Sequence, residues 1–397
     1  MNSGKIPIIA FEHTAWHSSW AGRQHILSRL GERGWPVLYS NGASYYNEIS
    51  FSKPFGTVEE TDNVTLYHAG FLLPRNYRIK FLDRLAIKQH CRVLKKRAGL
   101  TTGDKFIAFC FHPDFYPYVE ELNAPYVMFH IFDIYHLIGA PEGESSNVQK
   151  LIDQSDLVTA ASEMMWNEMV SDKTLKPKMI YNGVDTSAFE KKHPRKGHAF
   201  QVIERLPSPK VGYLGAINCK LDFTILDHLA ERFPEAKFIM IGARKDIGMI
   251  QRDDQNWAAF QRYFERQNVH YLETIKREEI PACLNLMDVT IAPYKTDKST
   301  WAFAGYPLKL NEYLAAGKPV LSAATPTVIQ HFSEIVATCE TRDEWENALC
   351  DALDGRGVGT PESRICYAKK QDWQIRVDKL EQLMSTMLTG EAGPENN

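Results

Sequence analysis

The sequence predicts an α/β protein built as two tandem, doubly wound domains, and three observations carry that reading. Its 397 residues exceed what one ordinary core uses. Short apolar runs alternate with amphipathic segments of helical period, the rhythm of parallel strands joined by crossover helices. That rhythm breaks once, between about Glu190 and Lys210, and then restarts. The expected division is a first domain over 1–190, a linker over 191–209, a second domain over 210–365 and a final helix over 366–390 that returns to the first domain.

The elements follow in order. Ile6–Phe11 reads as a buried strand, followed by a polar and aromatic loop, Glu12–Gly22. The stretch from Arg23 to Arg33 places Ile26, Leu27 and Leu30 at helical spacing, and Gly34 sits where a helix terminator belongs. Val37–Tyr39, Phe106–Phe111, Tyr126–Ile131, Leu157–Ala160 and Met179–Tyr181 are further strands, the last ending at the Asn182-Gly183 turn. Lys191 to Gly197, rich in charge, and Pro207-Ser208-Pro209 read as the linker. Beyond it, Val211–Leu214, Lys237–Ile241, Val269–Leu272, Val289–Ala292 and Val320–Ala323 are strands. Phe223–Phe233, Ile280–Met287, Leu308–Ala316 and Arg342–Leu353 are helices, and Glu362–Met387 is one long helical tail. Residues after the tail read as disordered. Domains of this kind facing each other form a central cleft at the carboxyl ends of two parallel sheets, where open α/β sheets bind ligands.

Composition removes several classes. Apolar residues at 44%, charged residues at 24% and a net charge of −3 describe a globular protein without the basic surface that nucleic acid demands. No apolar run reaches the roughly 20 residues of a membrane span, and the start is too soon interrupted by Glu12 and His13 for a signal peptide. Seven scattered cysteines with no C-x-x-C pair imply reduced thiols, no zinc site and a cytoplasmic location. Neither domain carries G-x-G-x-x-G after its first strand, which disfavours a dinucleotide dehydrogenase. No G-x-x-x-x-G-K-[ST] is present either.

The most informative stretch is Tyr306-Pro307-Leu308-Lys309-Leu310-Asn311-Glu312-Tyr313, continuing to Gly317-Lys318-Pro319-Val320. Pro307 starts a helix and Gly317 ends it. The free N–H groups and the positive end of the dipole make its N-terminus a phosphate site, reinforced by Lys309. Glu312, one turn on from Leu308 and Lys309, is placed to accept from a ribose diol. An ordinary solvated helix is the bland alternative.

This stretch resembles the donor-binding signature of GT-B glycosyltransferases of bacterial surface-polysaccharide assembly. Tyr181-Asn182-Gly183-Val184-Asp185 resembles the turn that closes the first domain in that superfamily. Val211–Ile217 resembles the glycine-bearing first strand and loop of its nucleotide domain, and Val269–Leu272, Ile280–Leu284 and Asp288–Tyr294 match the segments before the signature. The resemblance implies the GT-B fold, two Rossmann-like domains facing a cleft. It also implies a UDP-sugar donor held by Gly215, Tyr294, Leu308, Lys309 and Glu312. Many retaining members carry a second glutamate at the position of Ala304; its loss points to an inverting branch similar to the xanthan-type glucuronosyltransferase. No DxD occurs, so metal-independent transfer with no cofactor beyond the donor is expected.

An inverting transfer needs a base for the acceptor hydroxyl. Asp133, just past a strand end in the first domain, is the candidate. Its context resembles a Tyr-Asp-x-x-Asp segment, with His130 in place of the first Asp; Asp114 is the reserve. A helix-capping or turn role for Asp133 is the alternative. In the first loop Trp16, Trp20 and Arg23 are candidate acceptor-binding residues, matching loosely a Trp–Arg–Gln segment of related enzymes, although Trp16 and Trp20 at i, i+4 suit a packed core equally. Arg75–Arg97 holds nine lysines or arginines against Asp83 alone, a formal +8 interleaved with Tyr77, Phe81, Leu82, Leu85, Val93 and Leu94. That stretch suits peripheral contact with an anionic membrane carrying a lipid-linked acceptor, or a solvated helix. Two other classes stay open: a nucleotide-sugar epimerase of the same architecture, and an inactive scaffold subunit.

Overall fold

The computed structural model describes residues 5–390 except 19, 47–54, 77, 136–143, 173, 192–194 and 298–300, with the side chains of 144–146, 301 and 302 also left aside. Ser19, Tyr77, His136, Lys192, His193, Pro194 and the tail expected to be disordered therefore lie outside the described residues, as do the side chains of Trp301 and Ala302. The chain divides into two compact units, Met1–Tyr181 with Gln374–Asn397, and Asn182–Trp373.

The first unit has a seven-stranded sheet. Its strands are β1 (Ile8–Phe11), β2 (Val37–Ser40), β3 (Thr57–Thr61), β4 (Val64–His68), β5 (Ile107–Cys110), β6 (Tyr126–Ile131) and β7 (Leu157–Ala160), in the order β3-β4-β2-β1-β5-β6-β7. Every pairing is parallel except β3 with β4. β1, β2, β5 and β7 are buried from end to end, which is why they read as unbroken apolar runs. Helix Lys80–Arg97 lies on this unit through Ala86, Ile87, His90, Cys91 and Leu94. His90 hydrogen-bonds Ser40 Oγ at 2.8 Å and meets Tyr118 edge to face.

The β3–β4 hairpin escaped the sequence reading. β3 reads TVEET and is almost wholly exposed, so it lacks the apolar alternation that marks a strand, and its glutamates guard an open edge. Its turn is Asp62-Asn63, both at positive φ, the left-handed pair that a two-residue hairpin turn requires. The strand expected at Met179–Tyr181 reduces to one bridge between Ala160 and Met179.

The second unit has a six-stranded parallel sheet. Its strands are β8 (Lys210–Leu214), β9 (Lys237–Ile241), β10 (Val269–Leu272), β11 (Val289–Ala292), β12 (Val320–Ala323) and β13 (Ala337–Cys339), in the order β10-β9-β8-β11-β12-β13. The change of unit falls at Tyr181/Asn182, before residue 190, because the Asn182 turn is bonded into the second unit. Its side-chain amide donates to Tyr306 O at 2.8 Å, and its carbonyl accepts from Asn311 Nδ2 at 3.1 Å. The stretch expected to be linker contains helix His198–Arg205, which buries Ala199, Phe200 and Ile203.

The long C-terminal helix is in fact two, Pro361–Lys369 and Trp373–Thr389. They part where Gln371 O accepts the Val184 N–H and Trp373 N–H donates to Val184 O, each at 3.0 Å. Beyond the break the chain returns to the first unit. Glu381 there accepts from Lys5 Nζ at 3.0 Å, Arg33 Nη1 at 2.6 Å and Trp35 Nε1 at 2.6 Å.

Burial pushes the Glu381 carboxyl up, but the bonds from Trp35, Arg33 and Lys5 outweigh it and hold the group below the usual carboxylate range. Its stabilisation is present above the unfolded value near 4.5 and disappears as pH falls through the lower folded value. Glu381→Ala is expected to lower stability by about 1–3 kcal/mol at neutral pH in denaturant unfolding. The gap from wild type should close on acidification below the unfolded value.

Candidate functional site

The second unit gathers one group of expected residues at the carboxyl end of its sheet. Helix Leu308–Ala315 starts at Pro307, which supplies no side-chain cap, so its first-turn N–H groups face outward with the positive end of the dipole. The helix is pinned to the sheet by Tyr313: its hydroxyl accepts the Leu214 N–H at 2.9 Å and contacts Leu214 O at 3.4 Å. Asn311, wholly buried, fixes the same turn to Asn182.

Lys309 then lies over the loop that follows β8. Gly215 adopts φ +146°, and a Cβ there would stand 1.9 Å from Lys309 Cε and 2.2 Å from its Nζ. Only glycine permits this approach. Gly242, at φ +144° after β9, is required in the same way, since a Cβ would meet Gly215 O at 2.2 Å. The two glycine turns thus stack backbone on backbone beneath a lysine; the sequence reading found Gly215 and missed Gly242. Lys309 Nζ also sits 5.7 Å from the Tyr213 ring centre.

Lys309 and Glu312 are both half-buried. Burial lowers the Lys309 pKa, opposed by the Glu312 charge. Burial raises the Glu312 carboxyl to about 7, opposed by Lys309 and by Arg277. Arg277, which carries an ion pair to Asp185 at 3.0 Å, was not singled out in the sequence. Burial thus works against the charged form of both groups, and among the described residues no direct ion pair joins them. Tyr294 is buried; burial, with the Glu312 charge adding to it, pushes its phenol well up. Leu308 is half-buried at the helix start. Ala304 is buried, and no carboxylate is available at that position.

The first unit gathers the other group around the loops after β1, β5 and β6. Glu12 is buried; its Oε1 accepts from the backbone N–H groups of His13 and Thr14 at 2.9 and 3.3 Å. Arg23 Nε lies 4.0 Å from Glu12 Oε2, with the guanidinium 5.4 Å from the Phe132 ring. His13 Nε2 and Asp114 Oδ2 are hydrogen-bonded at 2.8 Å. His112 Nδ1 accepts the Asp114 N–H at 3.3 Å. Burial and the neighbouring His13 push His112 down to about 4, so it is neutral at physiological pH. Among the described residues these three offer ligand atoms within 4.8 Å of one another, a set that suits a divalent cation but is already internally hydrogen-bonded. The His13–Asp114 pair was missed because its members lie far apart in the chain.

Asp133 stands on the loop after β6, with its Oδ1 accepting the Ile134 N–H at 2.9 Å. That bond gives it a turn-forming role, and the carboxylate is half-buried rather than sealed. Its loop packs toward the His112 loop through Tyr135, whose ring meets His112 edge to face. Trp16 requires correction as an acceptor residue. It is 1% exposed, its indole N–H donates to Asp62 Oδ2 at 2.9 Å, and it packs edge-on against Tyr39 and Trp20. No ring face remains for a sugar. Trp20 is half-buried against Trp16 and His25.

Residues 208–354 match the family described as glycosyl transferases group 1. This stretch is similar to that family's domain, and the chain has the GT-B fold. TuaH of Bacillus subtilis (strain 168), described under teichuronic acid biosynthesis as a glycosyltransferase, is 28% identical over 235 residues. The match covers 56% of this chain and 55% of that relative, so it spans only about half the relative's length. Sucrose-phosphate synthase from Thermosynechococcus elongatus superposes with a TM-score of 0.72 at 13% identity, covering 98% of this chain and all of that one. HepE of Anabaena, solved with UDP and glucose, superposes with a TM-score of 0.69 at 14% identity, covering 96% and 100%. The matched stretch contains Gly215, Lys309 and Glu312, the residues built into one arrangement at the carboxyl end of its sheet.

Two expectations follow for this domain. Gly215→Ala should weaken nucleoside-diphosphate affinity about tenfold by displacing Lys309. Because it acts through that lysine, Gly215→Ala/Lys309→Ala should lose no more than Lys309→Ala alone; additive losses in calorimetry would contradict the coupling. The raised Glu312 pKa also implies stability that is full below about 4.5 and lost as pH rises through about 7. Glu312→Gln should therefore melt higher than wild type at pH 8, by about 2–4 °C, with no gain at pH 4.5.

Proposed function

We propose that the protein is a glycosyltransferase of polysaccharide assembly, moving a sugar from a UDP donor to a glycan or lipid-linked oligosaccharide. The observation that carries this reading is the Gly215–Lys309–Glu312 arrangement within the stretch similar to group 1 glycosyltransferases. The helix dipole and Lys309 balance the charge that develops on the leaving diphosphate, and Glu312 accepts from the ribose. Uridine is favoured because HepE, a relative by fold, was also solved with UDP-glucose. Neither the epimerase nor the scaffold reading has a comparable observation behind it.

The transfer is read as inverting and metal-independent. Support for inversion is the alanine at 304, the position ahead of the Lys309 helix where many retaining members carry a second glutamate. Asp133 of the first unit is the proposed base: it takes the proton of the acceptor hydroxyl as that oxygen attacks the anomeric carbon and the C–O bond to the diphosphate breaks. Arg23 and Trp20 are the remaining candidates for acceptor contact. Among the described residues no helix is long and apolar enough to cross a membrane. The proposed setting is cytoplasmic, at the inner face of the membrane that carries the acceptor.

Turnover of a UDP-sugar donor with a lipid-linked acceptor tests this directly. Asp133→Asn should lower kcat by about 10²–10⁴-fold while leaving UDP affinity within about twofold, and wild-type activity should persist in chelator. Most of the turnover retained in Asp133→Asn would remove it from the base role; loss restored by magnesium would contradict metal-independent transfer.

A further inference from the structure

Helix Lys80–Arg97 offers two faces with different tasks. The inward face, Ala86, Ile87, His90, Cys91 and Leu94, is buried in the first unit. The outward face is not the uniformly charged surface that its composition suggests. At its N-terminal end Phe81 is 74% exposed, Ile79 49%, Leu85 39% and Leu82 37%. Single exposed apolar side chains are ordinary. Four of them within two helical turns, Phe81 and Leu85 being i, i+4 neighbours, form a ridge.

Charge surrounds that ridge in one sign. Lys80, Arg84, Lys88 and Arg92 are exposed on the same helix and form no ion pair among the described residues. The helix has one acidic residue, Asp83, and it is spent internally: Arg75 holds it through Nε at 2.9 Å and Nη2 at 2.8 Å. On this helix the exposed charges beside the apolar ridge are therefore all positive. A solvated helix face has no use for the exposed phenylalanine and leucines, and an electrostatic contact alone would not need them.

We propose that this face docks on an anionic lipid bilayer, with Ile79, Phe81, Leu82 and Leu85 entering the headgroup boundary and Lys80, Arg84, Lys88 and Arg92 meeting anionic headgroups. Such a surface combines apolar burial with attraction to the negative leaflet. The inference rests on the transferase reading above only in its purpose, which is to bring the first unit to a lipid-linked acceptor; the docking itself stands on the helix.

Sedimentation of the full chain with vesicles tests it. Wild type is expected to pellet with phosphatidylcholine vesicles containing about one-third phosphatidylglycerol and to stay in solution with phosphatidylcholine alone. Arg84→Glu/Lys88→Glu should weaken binding at least about tenfold at low salt. Phe81→Ser/Leu85→Ser should remove the part of the binding that survives high salt. All four positions are exposed, so the fold should persist, and UDP titration of each sample checks the second unit. Wild type remaining in solution, or both variants pelleting like wild type, would overturn the proposal. If UDP binding is intact, that failure leaves the transferase reading standing; absence of UDP binding with normal docking would fall on the transferase reading instead.

Discussion

Lys309 holds its charge half-buried against the backbone at Gly215, and much of the second unit is arranged to keep it there. A side chain at 215 would occupy the space of the lysine's own terminal carbon. The helix that carries Lys309 is fixed to β8 through Tyr313 and to the Asn182 turn through Asn311. Pro307 leaves its N-terminus uncapped. The result is a desolvated cation, an oriented dipole and a carboxyl poised near neutrality, all assembled before any ligand arrives. Preorganisation of this kind would let the proposed diphosphate meet its counter-charges without rearranging the site.

The first unit solves a different problem with the same architecture. Loops leaving β1, β5 and β6 bring Glu12, His13, His112, Asp114 and Asp133 toward one end of the sheet. Histidine–carboxylate bonding and backbone donors order them. Trp16 is drawn into the packing under these loops rather than left above them, so the aromatic wealth of the first loop serves mainly to brace it.

What could be read in advance followed from burial. Strands buried on both faces announce themselves as apolar runs, and β1, β5, β6, β8, β9, β11 and β12 were legible for that reason. β3 was not, because an exposed edge strand of TVEET composition carries no such signal, and its Asp62-Asn63 turn is a weaker cue than Asn-Gly. Helix His198–Arg205 was hidden because its three buried residues sit beside a run of lysines, arginine and proline. The break at Gln371–Trp373 depends on hydrogen bonds to Val184, almost 190 residues earlier in the chain. At the site, Lys309 and Glu312 were legible from local spacing on one helix. Gly242, Arg277 and the His13–Asp114 pair were not, because their roles come from chain crossings that spacing does not encode.

The central claim is that the Lys309 helix and its glycine cradle bind the diphosphate of a uridine nucleotide. Calorimetric titration of the purified protein with UDP, GDP, ADP and CMP, alongside Lys309→Ala and Glu312→Ala, tests it most directly. Selective UDP binding that both substitutions weaken is the expected result. No nucleotide binding at all, or UDP binding indifferent to both substitutions, would contradict it.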